Sequence, residues 1–152
     1  MQTPKPIKRH PGLVAFSKDH HFGLLLVWKI RDDLKKSVEL SNINNSVIHF
    51  FDTDLIHHFT EEEELLFPKL PKDQLLRIQA ETDHKNIRQV IEDLRQNPEN
   101  KDLLNRFADA LEQHIRFEER ELFNFIQENL PEATLTEMVS SLKTRHHKPS
   151  FP

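Results

Sequence analysis

The sequence carries four histidines, each within the apolar stripe of an amphipathic helical segment, and two of them are followed four residues later by a glutamate. The residues of this pattern are His20, His58 with Glu62, His84, and His114 with Glu118. Residues three or four positions apart lie on one face of a helix, so each His-x-x-x-Glu pair directs its imidazole and carboxylate to the same place. That place is the core, where a polar group without a partner costs several kcal/mol. The pattern therefore predicts that the six side chains satisfy one another or share metal ions.

Helical spacing separates an inward face from an outward face on the second helical segment, predicted over residues 47–67, which contains His58. The apolar register consists of Ile48, Phe51, Leu55, His58, Glu62 and Leu65. The neighbouring register through His57 is polar and is predicted to face water. We interpret Glu61, Glu63 and Glu64, which belong to an acidic run, as a solvated face of the same helix.

The same test places one histidine in the stripe of each remaining segment. The fourth segment gives Leu104, Phe107, Leu111, His114, Glu118, Leu122 and Phe125, and the third gives Leu76, Ala80, His84, Ile87, Ile91 and Leu94. On the first segment His20 shares a stripe with Phe16 and Val27, while His21 lies in a mixed register; we choose His20 and keep His21 as the alternative. The remaining histidines, His10, His49, His146 and His147, are predicted to be surface residues.

The 152 residues suit a single all-α domain spanning residues 1–152. Predicted helices cover residues 17–40, 47–67, 73–96 and 100–128, with a short helix over 134–144, a turn at Ser41–Ser46 and a frayed tail from His146 to Pro152. Ser17 is the predicted cap of the first helix, and prolines follow the second and third. Four long helices joined by short loops favour an up-down-up-down antiparallel four-helix bundle, with the short C-terminal helix across one end.

Composition excludes several classes of function. There is no Cys, so neither a disulfide nor a thiolate ligand is available. No apolar run approaches the roughly 20 residues that cross a bilayer, and Met1 to His10 lacks the apolar stretch of a secretion signal, so we expect a cytoplasmic protein without membrane contact. The net charge of -4, with both signs mixed along the chain, argues against nucleic acid as a partner.

Four imidazoles and two carboxylates suit first-row divalent metals, above all iron, and are too rich in nitrogen for magnesium or calcium. A single zinc ion would be satisfied by four of the groups. Six groups from four helices instead match a pair of metals bridged by carboxylates. We therefore expect two iron ions, with zinc or manganese as alternatives.

The chain resembles the hemerythrin-like HHE cation-binding domain family over essentially its whole length. The matching stretches are RHPGLVAFSKDHHFGLLL, HHFTEEEELLFPKL, ETDHKNI and LEQHIRFEERELF, one on each long helix. The resemblance implies a four-helix bundle with a non-haem di-iron centre, in which Glu62 and Glu118 bridge the metals. It further implies that His20 and His58 complete one iron and that His84 and His114 complete the other.

One departure from the family bears on function. Oxygen-carrying hemerythrins have a further histidine one turn after the third-helix ligand, and this chain has Arg88 there. The resemblance then implies an open position for dioxygen, nitric oxide or peroxide, in a sensor, a carrier or an iron reservoir. Arg88 and Glu81 are candidates for residues that support the ligands, and Glu81 is also a candidate for an extra ligand or a base.

Two other functions remain open. The same site could serve a redox enzyme that reduces peroxide or nitric oxide, or that donates iron for iron-sulfur cluster repair with a redox partner protein. A metal-free bundle used only for association is the third reading. Steady-state consumption of peroxide or nitric oxide would distinguish the enzyme, and an effect of chelation on stability would exclude the metal-free bundle.

Overall fold

The computed structural model describes residues 8–145, with side chains described for residues 8–141, and this part of the chain contains helices and turns but no strand. The first helix, α1, spans Pro11–Lys35. A continuous helical stretch follows, called here the second helix, which consists of α2 (Leu40–Phe50), a π-helical turn (Phe51–Leu55), α3 (Ile56–Glu61), a second π-helical turn (Glu62–Leu66) and a 3-10 turn (Phe67–Lys69). The predicted tail from His146 to Pro152, with His146 and His147, lies outside the described residues.

The second half of the chain repeats this organisation. Its elements are α4 (Leu75–Gln96), α5 (Lys101–Phe117), a third π-helical turn (Glu118–Leu122), α6 (Phe123–Asn129) and α7 (Glu132–Arg145). The side chain of Gln74 caps α4 and that of Asn100 caps α5, each by accepting a hydrogen bond from a first-turn N–H. The third predicted helix corresponds to α4, the fourth to the stretch from α5 through α6, and the fifth to α7. Each of them lies within two residues of its predicted bounds.

The first helix begins and ends earlier than the sequence predicted. It starts at Pro11 rather than at Ser17, because Pro11 stands in the first turn and the His10 ring accepts a hydrogen bond from the Gly12 N–H. It ends at Lys35 rather than near Leu40. There Ser37 adopts φ 59°, and the N–H groups of Ser37 and Val38 bond back to the last turn, which is a Schellman motif without the usual glycine.

The predicted turn at Ser41–Ser46 was wrong, because this stretch is the start of α2. Asn and Ser favour turns when local preferences decide. Here Ile43, Asn44 and Val47 are buried on one face of the helix, and their packing outweighs the local preference. The connection that reverses the chain lies at residues 36–39 instead.

The buried apolar residues form two separate clusters along the bundle. One contains Leu26, Ile30, Val47, Phe59, Ile91 and Phe107, among others. The second contains Leu13, Phe16, Leu66, Phe67, Leu122 and Phe123, among others, together with Leu135 of α7. On α1 the residue between the two clusters is His20, and on α4 it is His84. A layer of buried polar side chains therefore crosses the bundle between two apolar cores.

The contacts between helices show that neighbouring helices are antiparallel. Ser17 bonds to Glu119 whereas Arg31 bonds to Asp109, so α1 and α5 run in opposite directions. Arg95 bonds to Asp52, and His84, eleven residues earlier on α4, bonds to Glu63. These contacts give an all-helical bundle, with α7 packed on α1 at one end.

The π-helical turns change which residues face the core. Each π turn holds one more residue than an α turn, so the buried positions beyond it move by one. Leu66 is buried where Leu65 was predicted, Val47 where Ile48 was predicted, and Ile126 where Phe125 was predicted. Within residues 8–145 no helix is both long enough and apolar enough to span a membrane.

Candidate metal centre

The structure brings all six predicted ligand residues together in the polar layer. They form two overlapping groups, namely His20, His58, Glu62 and Glu118, and Glu62, His84, His114 and Glu118. Within each group one ligand atom per residue lies within 4.8 Å of the others. Both groups share Glu62 and Glu118, which are completely buried. Two carboxylates thus lie between two pairs of imidazoles.

The local helix geometry places the two shared carboxylates. His58 is in α3, and Glu62 opens the π turn that follows; His114 is in α5, and Glu118 opens the corresponding π turn. π turns inside α-helices are frequent at functional sites because they re-aim side chains without ending the helix. Here the second and third π turns each start at a shared glutamate.

All four imidazoles direct Nε2 toward the shared carboxylates. His20 Nε2 lies 2.8 Å from Glu118 Oε1, and His84 Nε2 lies 3.0 Å from Glu62 Oε1. His58 Nε2 lies 3.3 Å from Glu62 Oε1, and His114 Nε2 lies 3.4 Å from Glu118 Oε2, but neither has hydrogen-bond geometry. The Nε2 atoms of His20 and His84 are therefore hydrogen-bonded to a shared glutamate, whereas those of His58 and His114 are not.

Unpartnered buried atoms test whether this site fits a metal. Four of its atoms are buried without a hydrogen-bond partner: His58 Nε2, His114 Nε2, Glu62 Oε2 and Glu118 Oε2. Buried polar atoms are nearly always satisfied in a stable fold. Each of the two groups thus contains one imidazole nitrogen without a partner, together with the unpartnered oxygens of the shared glutamates, and such atoms suit coordination of a cation. The residues present fit a metal.

The other ring nitrogen of every histidine donates to a carboxylate from a neighbouring helix. The contacts are His20 Nδ1 to Glu119 at 2.6 Å, His58 Nδ1 to Asp19 at 3.0 Å, His84 Nδ1 to Glu63 at 2.7 Å and His114 Nδ1 to Asp83 at 2.9 Å. A carboxylate on Nδ1 fixes the ring orientation and leaves Nε2 for a metal. Asp19, Asp83 and Glu119 were not predicted as site residues and Glu63 was predicted to be solvated, although each stands next to a predicted ligand in the chain.

Burial and the acidic neighbours act on the histidines in opposite directions. Burial lowers the pKa of His114, but the charges and hydrogen bonds of Glu118 and Asp83 outweigh it and raise the pKa to about 10. The pKa of His58 is raised well above its usual value for the same reason, burial being outweighed mainly by Glu62 and Asp19. Burial also opposes the net rise in the pKa of His20, which Glu118 and Glu119 cause.

The carboxylates show the complementary effect. Burial raises the pKa of Glu118, but the neighbouring histidines, His114 above all, hold it well below its usual value. Burial likewise opposes the shift at Glu63, where His84 and Arg88 lower the pKa to about 2. The buried glutamate Glu118 is thus ionised and draws positive charge into the layer.

A small cavity adjoins the centre between α1, α3 and α5. About 20 Å³ of it is open to the centre of a water-sized molecule, and one water needs roughly 10–15 Å³ by that measure. Its walls include His20, His58, His114, Gly23, Phe22, Phe50, Leu111 and Ile115. The cavity therefore has room for a molecule of a few atoms beside histidines of both groups.

Two predictions about the acidic run on the second helix were wrong. Glu61 is buried rather than solvated, and Glu63 bonds to His84 and Arg88; Glu64 is exposed as predicted. The helix carries a π turn on either side of α3, so a wheel with a constant period misplaces this stretch. Asp54, from the register predicted to be polar, is also buried and lies in the cavity wall.

The two residues predicted to support the ligands have different places. Arg88 donates to both oxygens of Glu63, at 2.6 and 3.0 Å, and so reaches the centre through that carboxylate. Glu81 is exposed on α4 and its carboxylate pairs with Arg77 at 3.4 Å, so its role at the centre stays a prediction.

The remaining histidines separate clearly. His21, the alternative on the first helix, is exposed, as are His49 and His57, whereas His20 is buried among the other five residues. His10 is partly buried rather than a free surface residue. It caps α1, and its Nε2 lies 2.8 Å from Glu132 of α7.

Comparison with known proteins gives one family. The family model described as the hemerythrin HHE cation binding domain matches residues 19–126 and 80–148. Comparisons with curated proteins and with solved structures give no match. Between them the two matched ranges contain all six residues of the polar layer. The chain belongs to the hemerythrin HHE cation-binding domain family.

Proposed function

We propose that this protein holds two iron ions in the polar layer and binds a small ligand, either dioxygen, nitric oxide or peroxide, in the adjoining cavity. It would act as a sensor, a carrier or an iron reservoir. The observation that carries the proposal is the pair of buried ligand groups that share Glu62 and Glu118 and leave four atoms without partners. One group would hold each ion, with both glutamates common to the two.

The charges around the centre support two divalent ions. Six carboxylates lie at or next to the imidazoles: Glu62, Glu118, Asp19, Glu63, Asp83 and Glu119. Arg88 pairs with Glu63, and Arg9 pairs with Glu119. With the four imidazoles neutral, as metal coordination requires, two divalent cations and these two guanidinium groups would balance the six negative charges. Buried charge without compensation is too costly to retain, so this balance favours two ions over one.

The donor atoms favour iron. Each group would supply two imidazoles and the shared carboxylates, a set that suits iron, manganese or zinc and not magnesium or calcium. Bound iron would supply the affinity for diatomic molecules and the capacity for electron transfer, neither of which these side chains possess. Zinc or manganese would fill the same positions without that combination, so we rank them second.

The cavity supports a very small ligand. Its volume admits a molecule of about the size of water, and its walls are mainly apolar side chains from α1, α5 and the second helix. Apolar walls exclude competing water, while His58 and His114 border the space from opposite groups. A larger organic substrate has no room there.

The topology completes the proposal. The opposed contacts between α1 and α5, and between α4 and the second helix, support an up-down-up-down bundle in a single domain. In that arrangement each long helix contributes at least one ligand at the same height, which a pair of metals between four helices requires.

Ligand uptake tests the functional part of the proposal. Protein loaded with ferrous iron should change its optical spectrum once on exposure to nitric oxide and then stop. Gly23→Ala should keep its iron but bind nitric oxide at least several-fold more weakly, because Gly23 lines the cavity and the methyl added there would take up part of its small volume. Equal binding by the two proteins would contradict the assignment of the cavity.

The competing function has its own outcome in the same experiment. Sustained consumption of nitric oxide or peroxide in the presence of a reductant would identify a redox enzyme, for which a partner protein would be the proposed electron donor in the cell. Failure of the iron-loaded protein to respond to dioxygen, nitric oxide or peroxide would overturn the small-ligand proposal and leave iron storage.

A further inference from the structure

The carboxylates on the outer ring nitrogens form a closed cycle around the bundle. We propose that Asp19, Glu63, Asp83 and Glu119 are positioning residues that act as one ring, in which each helix orients the metal-binding imidazole of the next. This inference rests on the proposed function, because it assigns these residues a role toward the bound metals. Here the term acidic ring denotes these four residues.

The order of the contacts closes on itself. Asp19 of α1 accepts from His58 on the second helix, and Glu63 of the second helix accepts from His84 on α4. Asp83 of α4 accepts from His114 on α5, and Glu119 of the following π turn accepts from His20 on α1. The contacts span 2.6 to 3.0 Å. No helix of the four is left out, and none orients its own histidine.

Each member of the acidic ring also stands beside a ligand residue of its own helix. Asp19 precedes His20, Asp83 precedes His84, Glu63 follows Glu62, and Glu119 follows Glu118. A helix that shifts or rotates would therefore disturb its own ligand and the imidazole of its neighbour together. The ring couples the four helices in placing the ligands, which a set of independent ligands would not do.

Further contacts hold three of the four ring members in place. Glu63 forms an ion pair with Arg88. Glu119 accepts a hydrogen bond from Ser17 Oγ at 2.8 Å and pairs with Arg9. Asp83 accepts a hydrogen bond from the Gln79 amide at 2.8 Å. The four carboxylate side chains retain between 16% and 32% exposure, against 4% or less for the imidazoles. The ring thus lies between the dry centre and the solvent, where a polar side chain can be replaced without opening the core.

The chemistry of the contact gives the ring its effect. A carboxylate that accepts the Nδ1–H fixes the tautomer in which Nε2 can coordinate, holds the plane of the ring and makes the imidazole a stronger donor. An amide of the same shape can still accept the hydrogen bond, but without the charge it gives less of each effect. Loss of the charge should therefore weaken metal binding and leave the fold intact.

Cobalt(II) is the probe for the test. Asp83→Asn and Glu63→Gln should each bind Co²⁺ 10- to 100-fold more weakly than the wild type in competition with a chelator, since that is the usual effect of losing such a partner. The matched controls are Glu81→Gln, exposed on the same helix as Asp83, and Glu64→Gln, the exposed neighbour of Glu63. Both controls should bind like the wild type.

Proton NMR of the Co²⁺ proteins separates positioning from a general loss of structure. The wild type should show four exchangeable, strongly shifted N–H signals, one from each imidazole that donates to the ring. Asp83→Asn should move the signal of His114 most, and Glu63→Gln that of His84. A loss of affinity with all four signals unmoved would overturn the proposal, as would Co²⁺ affinities equal to those of the controls.

The outcomes also separate this inference from the proposed function. A wild-type protein that binds no Co²⁺ would refute the metal centre itself. A wild type that binds two Co²⁺ ions, together with ring variants that match their controls, would refute only the acidic ring.

Discussion

Arg9 and Arg88 hold equivalent places on opposite sides of the centre. Arg88 pairs with Glu63 and lies 5.4 Å from the centroid of Phe59, whose ring stacks on His84. Arg9 pairs with Glu119 and lies 5.5 Å from the centroid of Phe123, whose ring stacks on His20. Arg88, one turn after His84, therefore contacts Glu63 and Phe59, which both touch the His84 imidazole, and it stabilises the position of that ring.

Each proposed metal position consequently receives the same protein donors. Because Arg88 fills the place where oxygen-carrying hemerythrins have a further histidine, each proposed position would have two imidazoles and a share in two carboxylates. On the proposed function, such equal donor sets would leave room for a ligand at either metal. The departure from the oxygen carriers changes how the centre is completed but preserves the layer itself.

Protonation of the histidines should make the metal-free protein sensitive to pH. The pKa of His114 is about 10 in the fold against 6.5 when unfolded, so its protonated form stabilises the fold. That stabilisation is complete below pH 6.5 and is lost as the pH rises toward 10. Thermal unfolding of the chelated protein should show a Tm that falls across this range.

Metal loading provides the control for this prediction. A cation at Nε2 replaces the proton, so loading should release protons and should remove the fall in Tm between pH 6.5 and 9. A chelated protein whose Tm stayed constant or rose across the same range would show that the imidazoles are not protonated in the fold.

Residue spacing alone was enough to bring the six buried residues to one face of each helix. Spacing could not identify Asp19, Glu63, Asp83 or Glu119, because their partners lie on other helices and depend on the relative rotation of two helices. Arg9 was missed for the same reason, since its partner Glu119 lies 110 residues away. A signal was present in the sequence, namely an acid directly beside a ligand residue on each long helix.

At the scale of elements, the three π-helical turns explain why the sequence misplaced several buried positions. A helical wheel assumes a constant period, whereas one extra residue in a turn rotates everything beyond it by about 100°. The α4 helix has no such turn, and there the predicted stripe is buried at Ala80, His84, Ile87, Ile91 and Leu94 and partly buried at Leu76, in its first turn. The three shifted positions, Leu66, Val47 and Ile126, all lie on helical stretches that contain a π turn.

The docking of α7 depends on a close approach at Gly12. A Cβ at this position would collide with the backbone carbonyl of Leu135, which cannot move unless the helix moves. Gly12→Ala should therefore destabilise the protein by roughly 1–3 kcal/mol, the usual cost of overpacking. Denaturant unfolding measures the loss, and hydrogen exchange should show it concentrated in α7.

Gly23→Ala is the matched comparison for this effect. The nearest atom to its added methyl is the end of the Ile115 side chain, which can turn aside. It should cost less stability than Gly12→Ala and leave exchange in α7 unchanged. If Gly12→Ala unfolded at the same denaturant concentration as the wild type, the packing of α7 against α1 would be wrong.

At the scale of the whole molecule, the polar layer divides the core into two apolar clusters. A helical bundle of this length could bury one continuous core, and a fold gains nothing from a buried layer of charges unless they are compensated. The all-helical class and most of the helix bounds could be predicted from the spacing of apolar residues and from prolines between the helices. The start of α2 did not, because only tertiary packing tells a buried Asn44 from a turn residue.

Metal content measures the central claim most directly. Metal-free protein titrated anaerobically with ferrous iron should bind two ions per chain, and His58→Ala and Glu118→Ala should lose this binding. His57→Ala, which alters the exposed neighbour of His58, should still bind two. A wild type that binds no iron, or a His57→Ala protein as deficient as His58→Ala, would contradict the metal centre described here.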